Sequence, residues 1–384
     1  MRVALIGNMN NNHFAMMRYF RDLGVEAYLF IFANEASHFQ PKCDTYEYEK
    51  WAKYIIQTHI RGGDFKQYLT LSSNYLYNLF TGFDFYIGND YSPAYLSKAG
   101  IRLNIFLPYA TGIEYTFRTT KTGIWDSIKE KIVALVQIRA IKNNVDLLCT
   151  IEAVTEQKAI KLGVKTKKLA IPMLYNNSPI IETNKTTKDL IEKINKFKFK
   201  VFSHVSHFPI DSFAFGIKRN DILLRAFAHY IKVNPNHCSV LILLEYGEGV
   251  TISKKLLNEL GIEDKVLWLP KMERKEIMQL IEYIDLGASE FGGYIWGGTG
   301  WEFLSKGKLF IHYTGMTKVE LHDLINMPLP EFIDTNDTLE ISNSFQYYYE
   351  NRTELKSKEL ELKMWFNEYA GINLAKKYID ILKN

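Results

Sequence analysis

The stretch Asp285-Leu-Gly-Ala-Ser-Glu290-Phe-Gly-Gly-Tyr-Ile-Trp-Gly-Gly-Thr-Gly300-Trp-Glu302-Phe-Leu-Ser-Lys-Gly307-Lys-Leu-Phe-Ile311 decides the reading of this chain. Residues 286–289 have the short apolar character of a buried strand. Glycines then crowd the segment up to Gly300. A helix is predicted to begin near Gly298 to Gly300 and run over 301–306, and 309–313 reads as the next strand. A strand that runs through a glycine-rich loop into a helix suits an anion. Backbone N–H groups approach closely where no Cβ intervenes, and the helix dipole favours negative charge. Gly297, Gly298 and Thr299 are the candidate cradle. Glu302 is expected in the first helical turn, where its carboxylate would accept hydrogen bonds from vicinal hydroxyls. Glu290 stands at the preceding strand end.

Working outward, the same alternation extends both ways. Strands are predicted at 199–204, 239–244 and 265–269, with helices at 221–233, 253–260 and 274–283. The N-terminal half repeats the pattern: strands at 3–6, 26–31, 83–87, 103–107 and 145–150, and a helix at 14–23. Residues 34–80 read as helical and irregular. Such alternation indicates parallel, doubly wound sheets. The polar segment 166–199, broken by Pro172 and Pro179, reads as a domain boundary. The chain ends in charged helices over 339–349 and 360–382. At 384 residues the chain suits two domains of roughly 150–200 residues. Ligands of open α/β sheets bind at the C-terminal ends of the strands.

Two segments resemble the GT-B glycosyltransferases related to the large retaining family 4. Glu302-Phe-Leu-Ser-Lys-Gly307-Lys-Leu matches in spacing a family helix that reads Glu-Ala-x-Ala-x-Gly-x-Pro, without its small residues and proline. The family's second Glu holds the donor ribose, a role that falls on Glu302. Its first Glu contacts the donor sugar and corresponds to Glu290. The family has seven residues between the two, whereas here there are eleven. The second segment is His204-Val-Ser-His207-Phe-Pro-Ile-Asp-Ser-Phe-Ala-Phe-Gly-Ile-Lys218-Arg219-Asn220-Asp221, followed by Leu223-Leu-Arg-Ala226-Phe227-Ala. It resembles the loop in which the family's Arg and Lys bind the diphosphate. Lys218 takes the Lys place. The separate Arg is missing, and its charge falls to Arg219 or to His207. Glu245-Tyr-Gly-Glu-Gly249 and Val266-Leu-Trp-Leu-Pro270-Lys271 resemble further donor-side segments.

The resemblance implies a GT-B α/β fold: two Rossmann-like doubly wound domains facing across a cleft. Their expected limits are 1–180 on the acceptor side and 199–355 on the nucleotide-sugar side, with a helix over 356–384 returning to the first domain. It implies a glycosyltransferase that uses a UDP- or GDP-type sugar as substrate and no cofactor. The acceptor would be a saccharide or lipid-linked, in bacterial O-antigen or capsule synthesis. No Asp-x-Asp motif is present, so the basic residues would neutralise the diphosphate without a metal.

In the first domain, Asn8-Met-Asn-Asn-Asn-His13 follows the first strand. Asparagine amides suit sugar hydroxyls and tolerate left-handed backbone. His13 titrates near neutrality and is a candidate base. Asp90, in Gly88-Asn89-Asp90-Tyr91-Ser92-Pro93, is the other. If the reaction inverts configuration, one of them is the general base; if it retains, as the resemblance implies, they position groups only. The loop 108–114 is a third strand-end segment.

Between Tyr115 and Asn143, six basic residues (Arg118, Lys121, Lys129, Lys131, Arg139, Lys142) meet only Asp126 and Glu130, so this segment holds the chain's whole net charge of +4. Ile124, Trp125, Ile128, Ile132, Leu135 and Val136 fall near one helical face. A basic amphipathic helix with a Trp suits an anionic lipid surface. Cys43, Cys149 and Cys238 lie far apart, which argues for a reducing compartment and against a disulfide frame or zinc site. No apolar run reaches the ~18 residues of a spanning helix. A cytoplasmic protein, peripheral on the inner membrane, is expected. The basic residues lack an interleaved stacking platform, which speaks against nucleic acid. A nucleotide-sugar epimerase on the same fold and a non-catalytic sugar-nucleotide-binding scaffold are the alternatives.

Overall fold

The computed structural model describes residues 1–108, 113, 123–172, 174–178 and 185–384. The loop 109–112 with Glu114, the basic residues Arg118 and Lys121, and Pro179 lie outside them. The chain divides into two compact units. The first contains Met1–Tyr175, Leu324–Asn326 and Ala370–Asn384, and the second Asn176–Asp323 and Met327–Tyr369.

The first unit holds a seven-stranded parallel sheet. Its strands are β1 (Arg2–Ile6), β2 (Glu26–Ile31), β3 (Ile55–Gln57), β4 (Phe85–Gly88), β5 (Leu103–Phe106), β6 (Val145–Thr150) and β7 (Lys165–Lys168), in the order β3-β2-β1-β4-β5-β6-β7. β1 is an interior strand, and Val3 to Ile6 are fully buried, the unbroken apolar run expected of a strand covered on both faces. β7 reads Lys-Thr-Lys-Lys and alternates exposed with half-buried residues. Lysines suit an edge, where they discourage pairing with another chain. The segment expected as a polar boundary therefore opens with an edge strand, and a helix, Lys185–Ile194, follows later in it.

The second unit repeats the plan with six parallel strands: β8 (Phe199–Ser203), β9 (Ser239–Glu245), β10 (Val266–Pro270), β11 (Leu286–Ala288), β12 (Phe310–His312) and β13 (Ile333–Asp334), in the order β10-β9-β8-β11-β12-β13. In both sheets the order reverses beside the first strand, between β1 and β4 and between β8 and β11. Such a switch opens a crevice at the strands' C-terminal ends, because the connections leave in opposite directions.

The C-terminal helix expected over 360–382 is two helices, Arg352–Tyr369 and Ile372–Lys383, parted at Ala370-Gly371. Gly371 has φ −98° and ψ −131°, which no helical residue adopts. The break separates the units: the longer helix belongs to the second, and the last one packs on Asn12–Asp22 of the first. There the Tyr378 hydroxyl donates to Ala170 O at 2.8 Å.

Candidate functional site

The loops after β8 and β11 meet at the second sheet's switch point. Lys218 ends the short helix Phe213–Lys218, and its ammonium pairs with the Glu290 carboxylate just beyond β11. The backbone is tied as well: Phe291 N donates to Lys218 O at 3.3 Å. His312, which sequence reasoning missed, steadies this loop. Its Nε2 donates to Tyr294 O at 2.7 Å, and its Nδ1 accepts from Glu290 N at 3.3 Å. Burial lowers the pKa of His312, so the neutral Nε2–H tautomer persists.

The helix Gly298–Ser305 begins beside this pair. Its first N–H groups have no intrahelical acceptor. A Cβ on Gly297 would stand 3.6 Å from Glu290 Oε1, and one on Gly298 would meet nothing within 4 Å. Thr299 and Ser289 hydroxyls share a hydrogen bond of 2.6 Å, tying helix start to strand end. Lys218, Glu290, Gly297, Gly298 and Thr299 are thus gathered around one open helix terminus.

Glu302 lies in the second turn rather than the first, because the helix starts at Gly298. It is buried. His204 Nε2 reaches Glu302 Oε2 at 2.5 Å, and Arg274 Nε donates to Oε1 at 2.9 Å. Burial alone would raise the Glu302 pKa, but His204 and Arg274 outweigh it and hold the carboxyl below its usual range. A carboxylate has about four lone-pair sites, and these two partners do not use them all. Arg274 was not foreseen, since its contact spans 28 residues with no local pattern.

Two expected residues stand apart from this group. Arg219 adopts a left-handed conformation (φ 44°) and makes a two-point contact with Asp221, Nε to Oδ1 at 3.0 Å and Nη2 to Oδ2 at 3.1 Å. His207 is buried against Trp268, and its Nδ1 meets Ser253 Oγ at 2.8 Å. Its main chain bonds Tyr246 O and Gly249 N, and a Cβ on Gly247 would strike that main chain. Those glycines serve close backbone packing.

The first sheet's switch point gathers a second polar group. His13 is fully buried on the helix Asn12–Asp22, and its Nδ1 donates to Gly7 O at 2.9 Å. Burial lowers its pKa to about 4, too weak a base to hold a proton at neutrality. Asp90 follows β4 with φ 50°, and Gln137 Nε2 holds its carbonyl at 2.8 Å. A Cβ on Gly62 would come within 2.6 Å of Asp90 Oδ2, so the loop after β3 lies against this carboxylate. Glu35, past the end of β2, was missed. Its Oε2 accepts Asn8 N at 3.1 Å. Only its place four residues after a strand end signalled it.

His13 and His207 share a property with a measurable consequence. Burial lowers the pKa of each to about 4. The unfolded chain binds their protons below about 6.5 and the folded chain does not. Their neutral burial is therefore harmless above that pH and costs stability as pH falls toward 4, on the order of 3 kcal/mol each at most. Glu35, raised to about 7 by burial, opposed by the Asn8 hydrogen bond and reinforced by Asp90, acts in the opposite sense between 4.5 and 7. Thermal melts across pH 4–8 should show the melting temperature falling below pH 6.5, less steeply in His13→Asn. A flat profile would contradict the burial argument.

Among the described residues no group of three His, Cys, Asp or Glu side chains is placed to hold a metal, and no helix is long and apolar enough to cross a membrane. The helix Ile124–Asn144 buries Val133, Ala134, Gln137, Ala140 and Ile141. The predicted stripe faces outward instead: Ile124, Trp125 and Leu135 are 79%, 76% and 60% exposed, and Ile128 and Ile132 are exposed too.

Two parallel α/β sheets of this order, with a C-terminal helix, define a GT-B fold. No family model matches the chain, and no curated protein matches it in sequence. Among solved structures it is similar to Anabaena Alr3699/HepE in complex with UDP, with a TM-score of 0.62, 14% identity and 100% of both chains covered. It is also similar to the UDP-GlcNAc 2-epimerase from Methanocaldococcus jannaschii, with a TM-score of 0.57, 11% identity, and 100% of this chain and 99% of that one covered. The trehalose-6-phosphate synthase OtsA gives a TM-score of 0.57 at 10% identity over 100% of this chain and 99% of that one. At these identities the likeness is one of fold.

Proposed function

We propose that this protein is a metal-independent glycosyltransferase that moves a sugar, of the hexose type, from a UDP- or GDP-type nucleotide sugar to a saccharide or lipid-linked acceptor in bacterial O-antigen or capsule synthesis. The observation that carries the reading is the Lys218–Glu290 pair at the open N-terminus of the helix that also bears Glu302. Lys218 and the helix terminus would hold the diphosphate, and Lys218 would neutralise charge as the phosphate leaves. Glu290 would face the donor sugar and Glu302 the ribose. HepE, similar in fold, was crystallised with UDP and with UDP-glucose, which favours a uridine nucleotide. Incubation with UDP- and GDP-sugars and a saccharide acceptor tests the proposal: product sugar must appear on the acceptor as nucleoside diphosphate is released. Donor bound without turnover under many acceptors would contradict it and favour a scaffold.

The exposed apolar stripe of Ile124–Asn144 supports a role at an anionic membrane face. The protein should sediment with phosphatidylglycerol vesicles, and Trp125→Ser with Ile128→Ser should release it. Equal sedimentation of both forms would remove the membrane from the account.

A second reading, a nucleotide-sugar epimerase, is favoured by the neighbouring Glu35 and Asp90 carboxyls, since epimerisation needs acid and base groups near the sugar. Conversion of the donor sugar with no acceptor present would select it.

A further inference from the structure

Several side chains at the first sheet's switch point are buried with polar atoms that have no partner. Asn11 Nδ2, both polar atoms of the Asn12 amide, Asn89 Oδ1 and His13 Nε2 are in this state, in residues at most 1% exposed. Leaving such an atom unpaired costs about 1–3 kcal/mol, so a cluster of them marks a place built for something polar. The cluster is ordered from within. Asn8 Nδ2 donates to Asn11 Oδ1 at 2.8 Å and to Phe39 O at 2.8 Å, and Asn8 Oδ1 accepts Phe14 N at 3.0 Å. Asn11 is thereby turned so that its NH2 remains for another acceptor. Asn10 and Asn11 both take left-handed backbone, with φ 55° and 60°, a conformation asparagine tolerates better than most residues. A Cβ on Gly7 would collide with Asn89 Oδ1, so Asn89 lies against the end of β1.

Glu35 borders this cluster through Asn8 N, and Asp90 is close enough to raise its proton affinity. Burial does most of that work, and together they bring the Glu35 pKa to about 7, where a group both takes and releases protons at neutral pH. A cavity of about 640 Å³ has in its lining neighbours of both residues, though not the carboxyls themselves. It is lined by Asn34, Arg61, Gly62, Asp64, Lys66 and Lys129 among others. Asn34 precedes Glu35, and Gly62 lies against Asp90. The volume lies in the range of about 300–1,000 Å³ typical of small-molecule sites.

We propose that the crevice at the C-terminal ends of β1, β2 and β4 binds an uncharged, polyhydroxylated acceptor, and that Glu35 takes the proton of the hydroxyl that becomes glycosylated. The proposal rests on the transferase reading above. Amides that both donate and accept suit hydroxyls, whereas two carboxyls repel an acidic or phosphorylated sugar at this point. In the step, the acceptor O–H bond breaks and its proton passes to the Glu35 carboxylate. The acceptor oxygen forms a bond to the donor's anomeric carbon. The bond from that carbon to the diphosphate oxygen breaks, and its electron pair leaves with the nucleoside diphosphate. Glu35 then returns the proton to water. A displacement of this kind inverts the anomeric configuration, in contrast to the retention that the sequence resemblance implies.

The test compares full-length wild type, Glu35→Gln and Asp90→Asn, with UDP-glucose and GDP-mannose as donors and neutral or carboxylated disaccharides as acceptors. Glu35→Gln should lose about 100- to 10,000-fold in kcat, with nucleoside diphosphate affinity within threefold of wild type and, above neutral pH, a melting temperature no lower than that of wild type, since the amide carries no buried charge. The acid limb of the wild-type rate profile should fall near pH 7 and move to lower pH in Asp90→Asn. Proton NMR of the product should show inversion, and neutral acceptors should be preferred. A wild type that transfers sugar with retention, or a Glu35→Gln variant at wild-type rate, overturns the role of Glu35 and leaves the transferase reading standing. A wild type that binds donor and transfers to nothing, or that epimerises it without acceptor, overturns both.

Discussion

Lys218→Ala lowers kcat for sugar transfer by about 100- to 1,000-fold, the loss seen when one electrostatic stabiliser of a developing charge is removed. The effect falls on turnover more than on donor affinity. The ground-state diphosphate already has charge, and the open terminus of Gly298–Ser305 continues to hold it. What the variant lacks is the cation that meets the extra charge as the phosphate departs. Removing Lys218 also leaves Glu290, only 9% exposed, without its ammonium partner. Lys218→Ala with Glu290→Gln separates the two effects: if repair of that carboxylate restores the rate, the lysine's role is structural. Steady-state kinetics with separate kcat and KM, beside Lys218→Arg, checks this. The arginine variant should recover part of the rate, since charge is kept and geometry is changed.

Glu302→Gln weakens nucleoside diphosphate binding by roughly 10- to 100-fold, because hydrogen bonds to a charged group are worth about 1.5–3 kcal/mol each. Calorimetric titration of the nucleotide reads this directly. Glutamine is the informative replacement, because it keeps the volume and one acceptor for His204 and Arg274. Glu302→Ala would remove the carboxylate that His204 and Arg274 share and the side-chain volume with it, which destabilises the fold and confounds a binding measurement. Unchanged affinity in Glu302→Gln would mean that the carboxylate serves only to pin Arg274 and His204.

The fold was legible where the signal is local. Continuous apolar runs such as Val3–Ile6 and Val240–Leu244 announce covered parallel strands, and the glycines before Gly298 announce a loop into a helix. The edge strands β7 and β13 were not legible: β7 is lysine-rich and β13 has only two residues, so neither has an apolar run to detect, whereas the apolar edge strand β10 was expected at 265–269. The helix break at Ala370-Gly371 hid inside a charged amphipathic pattern that continues on both sides. At the site, the glycine loop follows from residue type and Lys218 was expected from the family resemblance, whereas partners joined only by the fold follow from neither. Arg274 meets Glu302, and Asn8 meets Glu35, across 28 and 27 residues. His13 shows the opposite failure, since residue type suggested a base and only burial reveals its low proton affinity.

The central claim is a nucleotide-sugar site in the second unit, and a thermal-shift screen of the wild-type protein against UDP, GDP, CMP and their common sugars tests it most directly. One nucleoside diphosphate at about one hundred times its Kd should stabilise the fold by about 2.7 kcal/mol and raise Tm by roughly 5 °C, with the other bases giving little. If no nucleotide shifts the melting curve at millimolar concentration, the donor-site assignment around Lys218, Glu290 and Glu302 is contradicted.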